Sequence, residues 1–317
     1  MICRVADSIY WLSRYIERAE NIARFIDVSQ MSSLGGRAIR DAQWAPLIYA
    51  SGDEAAFRER FGDDFSQQRV LHFAIFDEQN PNSIFSCVRS ARENARSIRG
   101  ELSTALWEAI NRFYLRVTEA RVAAGTIVEN PHRFLERVKR SSHTIVGVVV
   151  ATMSHGEAWN FAMLGRVLER ADKTSRILDV KYFTLLPDLS LVGSTLDIVQ
   201  WSALLESTSA LHMYRKRFGK IEPKQVAEFL VLDRDFPRSM RFCVSLGEEC
   251  LRALTGTAPG MFSNSAEQQM GMLNSRMNYA NIDDIVNNGL HEFVDSFQQQ
   301  INEIGGEVSK IFFQPEA

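Results

Sequence analysis

An internal repeat constrains this chain more than any other feature, because a chain that contains the same unit twice has to pack two similar bodies. Three segments recur in the same order: residues 12–28 as 164–180, 44–62 as 201–219, and 70–96 as 226–252. They match at 8 of 17, 6 of 19 and 9 of 27 positions, well above chance. We therefore interpret the 317 residues as a tandem duplication.

Each copy has a length of about 155 residues, which predicts one helical unit over residues 1–153 and a second over 154–317. A weaker similarity, His132-Arg133-Phe134 with His291-Glu292-Phe293, extends the repeat towards the end of both units. The first helix of each unit is apolar around about half of its circumference, which is typical of a central helix. We therefore expect one compact body.

The hydrophobic spacing within a unit is helical. Apolar residues of the first segment follow one another at steps of four and three, namely Val5, Ile9, Leu12, Ile16, Ala19, Ala23 and Ile26. The same reasoning predicts further helices over 42–60, 66–77, 82–100, 101–123 and 131–153, with counterparts over 195–217, 223–232, 237–254, 264–279 and 282–312. The sequence thus predicts an all-α fold, in which two units form one pseudo-twofold helical bundle.

Charge and composition exclude several classes of protein. With 36 basic and 39 acidic residues, the net charge of -3 gives no indication of nucleic-acid binding. No apolar run approaches the roughly 20 residues that a membrane-spanning helix needs. The four cysteines form no C-x-x-C pair and suit a reducing compartment, so we expect a cytoplasmic protein.

The two first helices carry the same charged residues. The repeated pairs are Arg14/Arg166, Glu17/Glu169, Arg18/Arg170, Glu20/Asp172 and Arg24/Arg176. One interpretation is a structural network of ion pairs within and between helices. The other is a functional site, in which Glu17, Glu20, Glu169 and Asp172 bind a cation or act as acid and base, and the arginines bind substrate.

A second basic feature is not repeated. Arg89, Arg92, Arg96 and Arg99 lie on one face of a predicted helix, and their counterparts are Ser245, Glu248, Arg252 and Thr255. This arginine stripe either binds an acidic partner or a phosphate, or is a solvated face neutralised by nearby glutamates. A carboxylate-bridged metal site needs Glu-x-x-His motifs from facing helices, and the sequence supplies no such pair. Phosphate-binding glycine loops are also missing, so we predict no metal and no cofactor.

Long stretches of the chain resemble the bacterial alpha-E family, an all-helical family of unknown biochemical activity. The resemblance is carried by SIYWLSRYIERAENIARFIDV, ARENARSIRGELSTALWEAINRFYL, WNFAMLGRVLERADKTSRILDV, FPRSMRFCV and NIDDIVNNGLHEFVDSF. The charged motif of the family corresponds here to Glu17-Arg18-Ala19-Glu20 and, in the second unit, to Glu169-Arg170-Ala171-Asp172.

The resemblance implies a function in combination with other proteins. Members of the family are typically encoded beside, or fused to, a circularly permuted ATP-grasp ligase and often a transglutaminase-like protease. We therefore expect an accessory or co-catalytic subunit of an amide ligase that makes or processes a peptide-like product. One alternative is an enzyme that acts on a small amide or peptide through the Glu/Arg set, and another is a homodimeric scaffold.

Overall fold

The computed structural model describes residues 3–31, 44–185 and 194–314, and within these ranges it contains helices and turns but no strand. The all-α prediction is therefore confirmed. The helices are α1 (Cys3–Met31), α2 (Ala45–Ser51), α3 (Glu54–Phe61), α4 (Gln67–Ile75), α5 (Ile84–Ser97), α6 (Thr104–Val122), α7 (Ala124–Glu129), α8 (His132–Thr152), α9 (Glu157–Leu185), α10 (Thr195–Ser207), α11 (Leu211–Phe218), α12 (Pro223–Leu232), α13 (Met240–Thr255), α14 (Ser265–Tyr279), α15 (Ile282–Asn288) and α16 (Leu290–Phe312). None of these helices combines the length and the apolar character that crossing a membrane requires.

The helices of the two predicted units follow one another in matching order. Helices α1 and α9 each contain 29 residues. Helix α1 packs on α5 and α8, and α9 packs on α13 and α16. The boundary predicted after residue 153 falls in the turn between α8 and α9. This parallel order is what a tandem duplication leads us to expect, and the division into two units stays a prediction.

Helices α1 and α9 lie against each other at the centre of the molecule. The seam of α1 is buried from Ile9 to Ile26, as its hydrophobic spacing predicts. The backbones approach closely at Gly165 of α9, where an added Cβ atom would stand 2.4 Å from the carbonyl oxygen of Tyr10. This approach brings the charged faces of both helices into one interface.

The short helices α2 and α10 connect the two halves. Helix α2 packs mainly on α9, whereas α10 packs mainly on α1. The predicted single helices over 42–60 and 195–217 are wrong, because the chain turns at Gly52 (φ +80°) and at its repeat equivalent Ser209 (φ +56°). Both residues have left-handed backbone conformations that end a helix. Residues 42 and 43 lie outside the described ranges.

Two further helix boundaries differ from the prediction. The segment 282–312 is divided at Gly289 (φ +102°) into α15 and α16, and α7 was not predicted. Helices α5 and α13 begin equivalently, because Ser83 Oγ accepts from the backbone N–H of Ser86 and Ser239 Oγ accepts from that of Phe242. These serines are N-caps, which satisfy a backbone donor that a helix start leaves free.

Candidate functional site

The two repeated glutamates lie in the α1–α9 interface, and each is bound by arginines of the opposite helix. Arg18 of α1 donates to Glu169 from Nε at 2.6 Å and from Nη2 at 3.0 Å, and Arg14 Nε donates at 2.9 Å. In return, Arg170 of α9 donates to Glu17 from Nε and Nη2, both at 2.8 Å. Arg166 Nε lies 3.6 Å from Glu17 Oε2.

The second carboxylate of each helix binds the arginine one turn later. Glu20 Oε1 accepts from Arg24 at 3.0 and 2.7 Å, and its other oxygen accepts from Ser142 Oγ at 2.5 Å. Asp172 accepts from Arg176 Nε at 3.0 Å on both oxygens. The shorter side chain of Asp172 thus keeps the arginine contact that Glu20 makes.

These two arginines also reach the backbone of the opposite half. Arg24 Nη1 donates to the carbonyl oxygen of Ser207, at the end of α10, and to Ser209 Oγ at 2.9 Å. Arg176 Nη1 donates to the carbonyl oxygen of Ala50, in the last turn of α2, at 3.2 Å. Ala50 and Ser207 are repeat equivalents. Each half therefore supplies a guanidinium group to a carbonyl near the end of a short helix of the other half.

One extra cation reaches each site from a different position of the repeat. Arg238, in the turn before α13, donates to Glu17 at 3.2 Å, to Asn21 at 3.1 Å and to Glu20. At the other site its counterpart is Asn82, which accepts from Arg18. The missing charge is supplied by Lys173, which is the repeat equivalent of Asn21. The Nζ atom of Lys173 lies 2.8 Å from Asp172 Oδ2. Each pair of carboxylates thus has one additional cation, Arg238 at one site and Lys173 at the other.

We name the two groups of side chains by the helix that supplies their carboxylates. The α1 cluster contains Glu17, Glu20, Arg24, Arg166, Arg170 and Arg238, and the α9 cluster contains Glu169, Asp172, Arg14, Arg18, Lys173 and Arg176. Each cluster thus surrounds two carboxylates with four cations.

Burial and charge act in opposite directions on these carboxylates. Glu17 is 1% exposed, and Glu20 and Glu169 are 0% exposed. Burial raises the pKa of Glu17, but Arg170 and Arg238 outweigh it and hold this pKa at about 2. Burial is likewise outweighed at Glu169, whose pKa lies well below its usual range because of Arg18 and Arg14. The carboxylates stay ionised, and every oxygen has a partner.

The predicted cation site would join the carboxylates of both helices, and in the structure these carboxylates are instead bound by arginines and a lysine. Within 3–31, 44–185 and 194–314, no three His, Cys, Asp or Glu side chains are placed to hold a metal ion. Glu129 and His132 have the Glu-x-x-His spacing, but they lie on two helices, α7 and α8. His143 of α8 lies at the edge of the α1 cluster, with its Nε2 atom 3.3 Å from Glu20 Oε1. Because every carboxylate oxygen of the clusters already has a partner, the carboxylates themselves offer little to acid–base chemistry.

A comparison with known families identifies the group of proteins to which this arrangement belongs. The Alpha-E family is described as a predicted alpha-helical domain with a conserved ER motif, and it matches residues 1–313. The chain belongs to the Alpha-E family. Its two Glu-Arg dipeptides, Glu17-Arg18 and Glu169-Arg170, are the residues that bind each other across α1 and α9.

Relatives of this Alpha-E chain include uncharacterised proteins of Mycobacterium bovis and of two strains of Mycobacterium tuberculosis. Each is 23% identical over 292 residues, which cover 84% of this chain but 31% of the relative. The chain therefore spans about a third of the length of the curated relatives it matches. No solved structure matches.

Three arginines of the stripe in this Alpha-E chain, Arg89, Arg92 and Arg96, lie on α5, whereas Arg99 lies in the 3-10 turn that follows it, and all four contact the protein's own side chains. Arg89 pairs with Glu78 at 3.1 Å and Arg96 with Glu93 at 2.6 Å. The remaining contacts are those of Arg92 with Glu93, Asn111, Trp107 and Tyr114, and of Arg99 with Trp107. Glu78 and Glu93 thus pair with three of the four arginines, and Arg99 is stacked on Trp107.

The equivalent cysteines Cys87 and Cys243 are packed inside the Alpha-E fold. Their Sγ atoms lie 3.7 and 3.6 Å from the carbonyl oxygens of Pro81 and Pro237. Burial raises the pKa of each thiol to about 12. A nucleophilic cysteine needs a thiolate, so both are core residues.

Some members of the two clusters are not among the residues predicted from the sequence. They are Arg238, Lys173, Asn21 and Ser142 of α8, which donates to Glu20. The aligned repeat contains a signal for the first three. At two positions an asparagine of the first unit corresponds to a cation of the second, Asn82 to Arg238 and Asn21 to Lys173. Two such exchanges predict a shared ion network. Ser142 has no comparable signal, because α8 resembles its counterpart in the second unit only near its first residues.

Proposed function

We propose that this Alpha-E protein is a non-catalytic accessory subunit that works with an ATP-grasp-type amide ligase on a peptide-like product. The observation that carries the non-catalytic part is the enclosure of all four repeated carboxylates, none of which is more than 4% exposed. A reacting substrate has to come within hydrogen-bond distance of its acid or base. The ion pairs of the two clusters instead hold α1 against α9.

Two further observations support a protein partner. The Mycobacterium relatives contain the matched region within much longer polypeptides, so in those proteins it is covalently joined to other segments. The resemblance to alpha-E proteins supplies the identity of the partner, because members of that family are typically encoded beside or fused to ATP-grasp ligases. In this proposal the ligase acts on a peptide-like substrate.

Co-purification tests this function directly. The tagged protein is expressed together with the ATP-grasp-type ligase encoded beside its gene, and ATP-dependent amide formation is measured with and without it. We expect a stable complex and a higher rate of product formation. A ligase that neither associates with the protein nor responds to it would contradict the proposal.

The enzymatic alternative makes a different prediction for the same carboxylates. If Glu17 were catalytic, Glu17→Gln would abolish activity towards the peptide-like product while unfolding at the same urea concentration as the wild type. The accessory function predicts the reverse, a loss of stability with any loss of activity proportional to the unfolded fraction. Urea unfolding followed by circular dichroism and the ligase assay, performed on the same preparation, distinguish the two.

A further inference from the structure

A groove on the surface of the first half lies between α6, α7 and α8. It has a volume of about 1220 Å³. Its floor is apolar and consists of Phe113 and Val117 of α6 with Phe134 and Val138 of α8. These four side chains are buried, so the base of the groove is part of the packed core.

Arginines line the rim of this groove. They are Arg116 of α6 and Arg133, Arg137 and Arg140 of α8, all exposed. The three on α8 follow one another by four and three residues and therefore share one helix face. Glu119 is the one carboxylate among the lining residues, which all belong to the described part of the chain. We call this surface the basic groove.

The rim arginines differ from the arginine stripe in what they contact. The stripe is paired with Glu78 and Glu93 and stacked on aromatic rings. Within the described part of the chain, no side chain forms an ion pair within 4 Å or a hydrogen bond with the guanidinium group of any of the four rim arginines, although Thr144 Oγ1 donates to the backbone carbonyl oxygen of Arg140. Like charges one turn apart destabilise a helix, so helix stability does not account for three arginines on one face of α8.

The second half contains a groove at the corresponding place with a different charge. It lies between α14, α15 and α16 and is lined by Arg276, Asp284 and Glu292 among others. The repeat aligns Arg133 with Glu292. With the same offset, the equivalents of Arg137 and Arg140 are Ser296 and Gln299. The positive charge is therefore a property of the first half alone and not a requirement of the repeated packing.

A buried hydroxyl group adds a hydrogen-bonding atom beside the apolar floor. Ser141 borders the basic groove and is 6% exposed, and its Oγ has no hydrogen-bond partner in the described structure. Buried hydroxyl groups are normally paired, since an unpaired one costs free energy. If this side chain turned towards the groove, a carboxylate or carbonyl oxygen of an occupant could accept its hydrogen bond.

We propose that the basic groove binds an acidic amphipathic segment of a partner protein. The apolar side of the segment lies against Ala120, Ala123 and Ile127, which are apolar residues of the groove wall that reach solvent, and its carboxylates pair with the rim arginines, which is the helix-in-groove form of peptide recognition. A nucleic acid fits less well, because Phe113 and Phe134 are only 1% and 7% exposed and leave no ring face for base stacking. The inference rests on the proposed function only in requiring a protein partner.

A labelled amphipathic peptide with leucines on one helical side and glutamates on the other tests the groove by fluorescence anisotropy. The full-length double variant Arg133→Glu/Arg137→Glu reverses the rim charge. Its matched control, Arg215→Glu/Lys216→Glu, makes the same charge change on exposed residues of α11. We expect the groove variant to bind the peptide about tenfold more weakly or worse, and the control to bind like the wild type.

Three results would overturn this inference. They are an absence of peptide binding to the wild type, equal weakening in both variants, and equally tight binding of a single-stranded oligonucleotide. Co-purification with the ligase is measured in parallel on the same variants. A ligase that associates equally with wild type and groove variant, while the peptide does not bind, contradicts the groove alone. Specific peptide binding without any ligase association contradicts the proposed function alone.

Discussion

At the scale of single residues, the interface between α1 and α9 is stabilised by charges that neither helix could bury alone. Glu17 and Glu169 are each enclosed by guanidinium groups of the other helix. A buried carboxylate without these partners would have to become protonated or return to water. The clusters therefore make the folding of each helix depend on the presence of the other.

Removing one carboxylate charge should cost much of the stability of the protein. Glu169→Gln leaves Arg14 and Arg18 in the interface without their counter-charge, and we expect a loss of about 3–5 kcal/mol in the free energy of unfolding. Urea unfolding followed by circular dichroism measures it. The control is Glu54→Gln, which removes an exposed pair with Arg58 and should leave the free energy of unfolding almost unchanged. Similar losses in both variants would contradict the network.

The compensating exchange of charges predicts a rescue. Arg238→Asn removes a buried guanidinium group that bonds to Glu17 and Asn21, and we expect a loss of about 2 kcal/mol or more. Adding Asn21→Lys restores a cation at the position that Lys173 occupies in the α9 cluster, and should recover at least about 1 kcal/mol. As a control, Asn21→Lys is combined with Arg234→Asn, which removes an exposed arginine. There the added lysine should not raise the free energy of unfolding. Additive effects of Arg238→Asn and Asn21→Lys would contradict the exchange.

Acid should weaken the same clusters in a defined pH range. The pKa of Glu17 falls from 4.5 to about 2 on folding, so its contribution is complete above about pH 4.5 and is lost as the pH falls towards 2. We expect the free energy of unfolding, measured by urea titration at several pH values, to decline over this range. Glu17→Gln should be less stable at neutral pH and should show a shallower decline, and an unchanged slope would contradict the assignment.

At the scale of the helices, the close approach of α1 and α9 depends on one residue without a side chain. A Cβ atom at position 165 would overlap the backbone of Tyr10. The repeat equivalent of Gly165 is Ser13, so the close contact is made from one side of the interface only. The glycine that permits this close approach is therefore supplied by α9 and not by α1.

Gly165→Ala should push the two helices apart. Overpacking of this kind costs about 1–3 kcal/mol, and the ion pairs across the interface would lengthen as well. The control is Gly147→Ala on α8, where an added Cβ meets nothing within 4 Å. That change should stabilise the protein by about 0.5–1 kcal/mol, because alanine favours a helix over glycine. Thermal unfolding of both variants measures the difference, and a neutral Gly165→Ala would show that the contact is loose.

The sequence predicts the central helices far better than their connections. Apolar spacing identifies α1, and the aligned repeat identifies α9. The break at Ser209 could not be predicted, because serine rarely adopts a left-handed conformation, and Arg24 of α1 donates to its side chain. The break at Gly52 has a signal in the sequence, because glycine commonly ends a helix. The reciprocal pairs were not predicted for a similar reason, since the position of a residue on one helix does not determine which turn of a second helix lies opposite.

At the scale of the whole molecule, the two halves share one interior. Helices α2 and α10 pack on the central helix of the opposite half, and Arg24 and Arg176 bond to backbone carbonyls there. Neither half could keep these contacts after separation. The molecule therefore has no obvious place to divide into independently stable parts, although its sequence contains a unit twice.

We expect a single unfolding transition for the full chain. Far-ultraviolet circular dichroism and tryptophan fluorescence should give the same urea midpoint, because the tryptophans are distributed over both halves, for example Trp44 and Trp201. Glu169→Gln should shift both signals together. Two separated transitions, or a shift confined to one signal, would indicate halves that fold independently.

The reciprocal binding of Glu17 and Glu169 has the form of an isologous contact, in which each surface offers the other the same groups in exchange. Such contacts normally join two identical subunits, and here both sides belong to one polypeptide. Covalent linkage fixes their ratio at one to one and leaves each side free to acquire its own substitutions. A symmetric dimer of the first unit would present two basic grooves, whereas this chain presents one, so we expect one partner segment per chain.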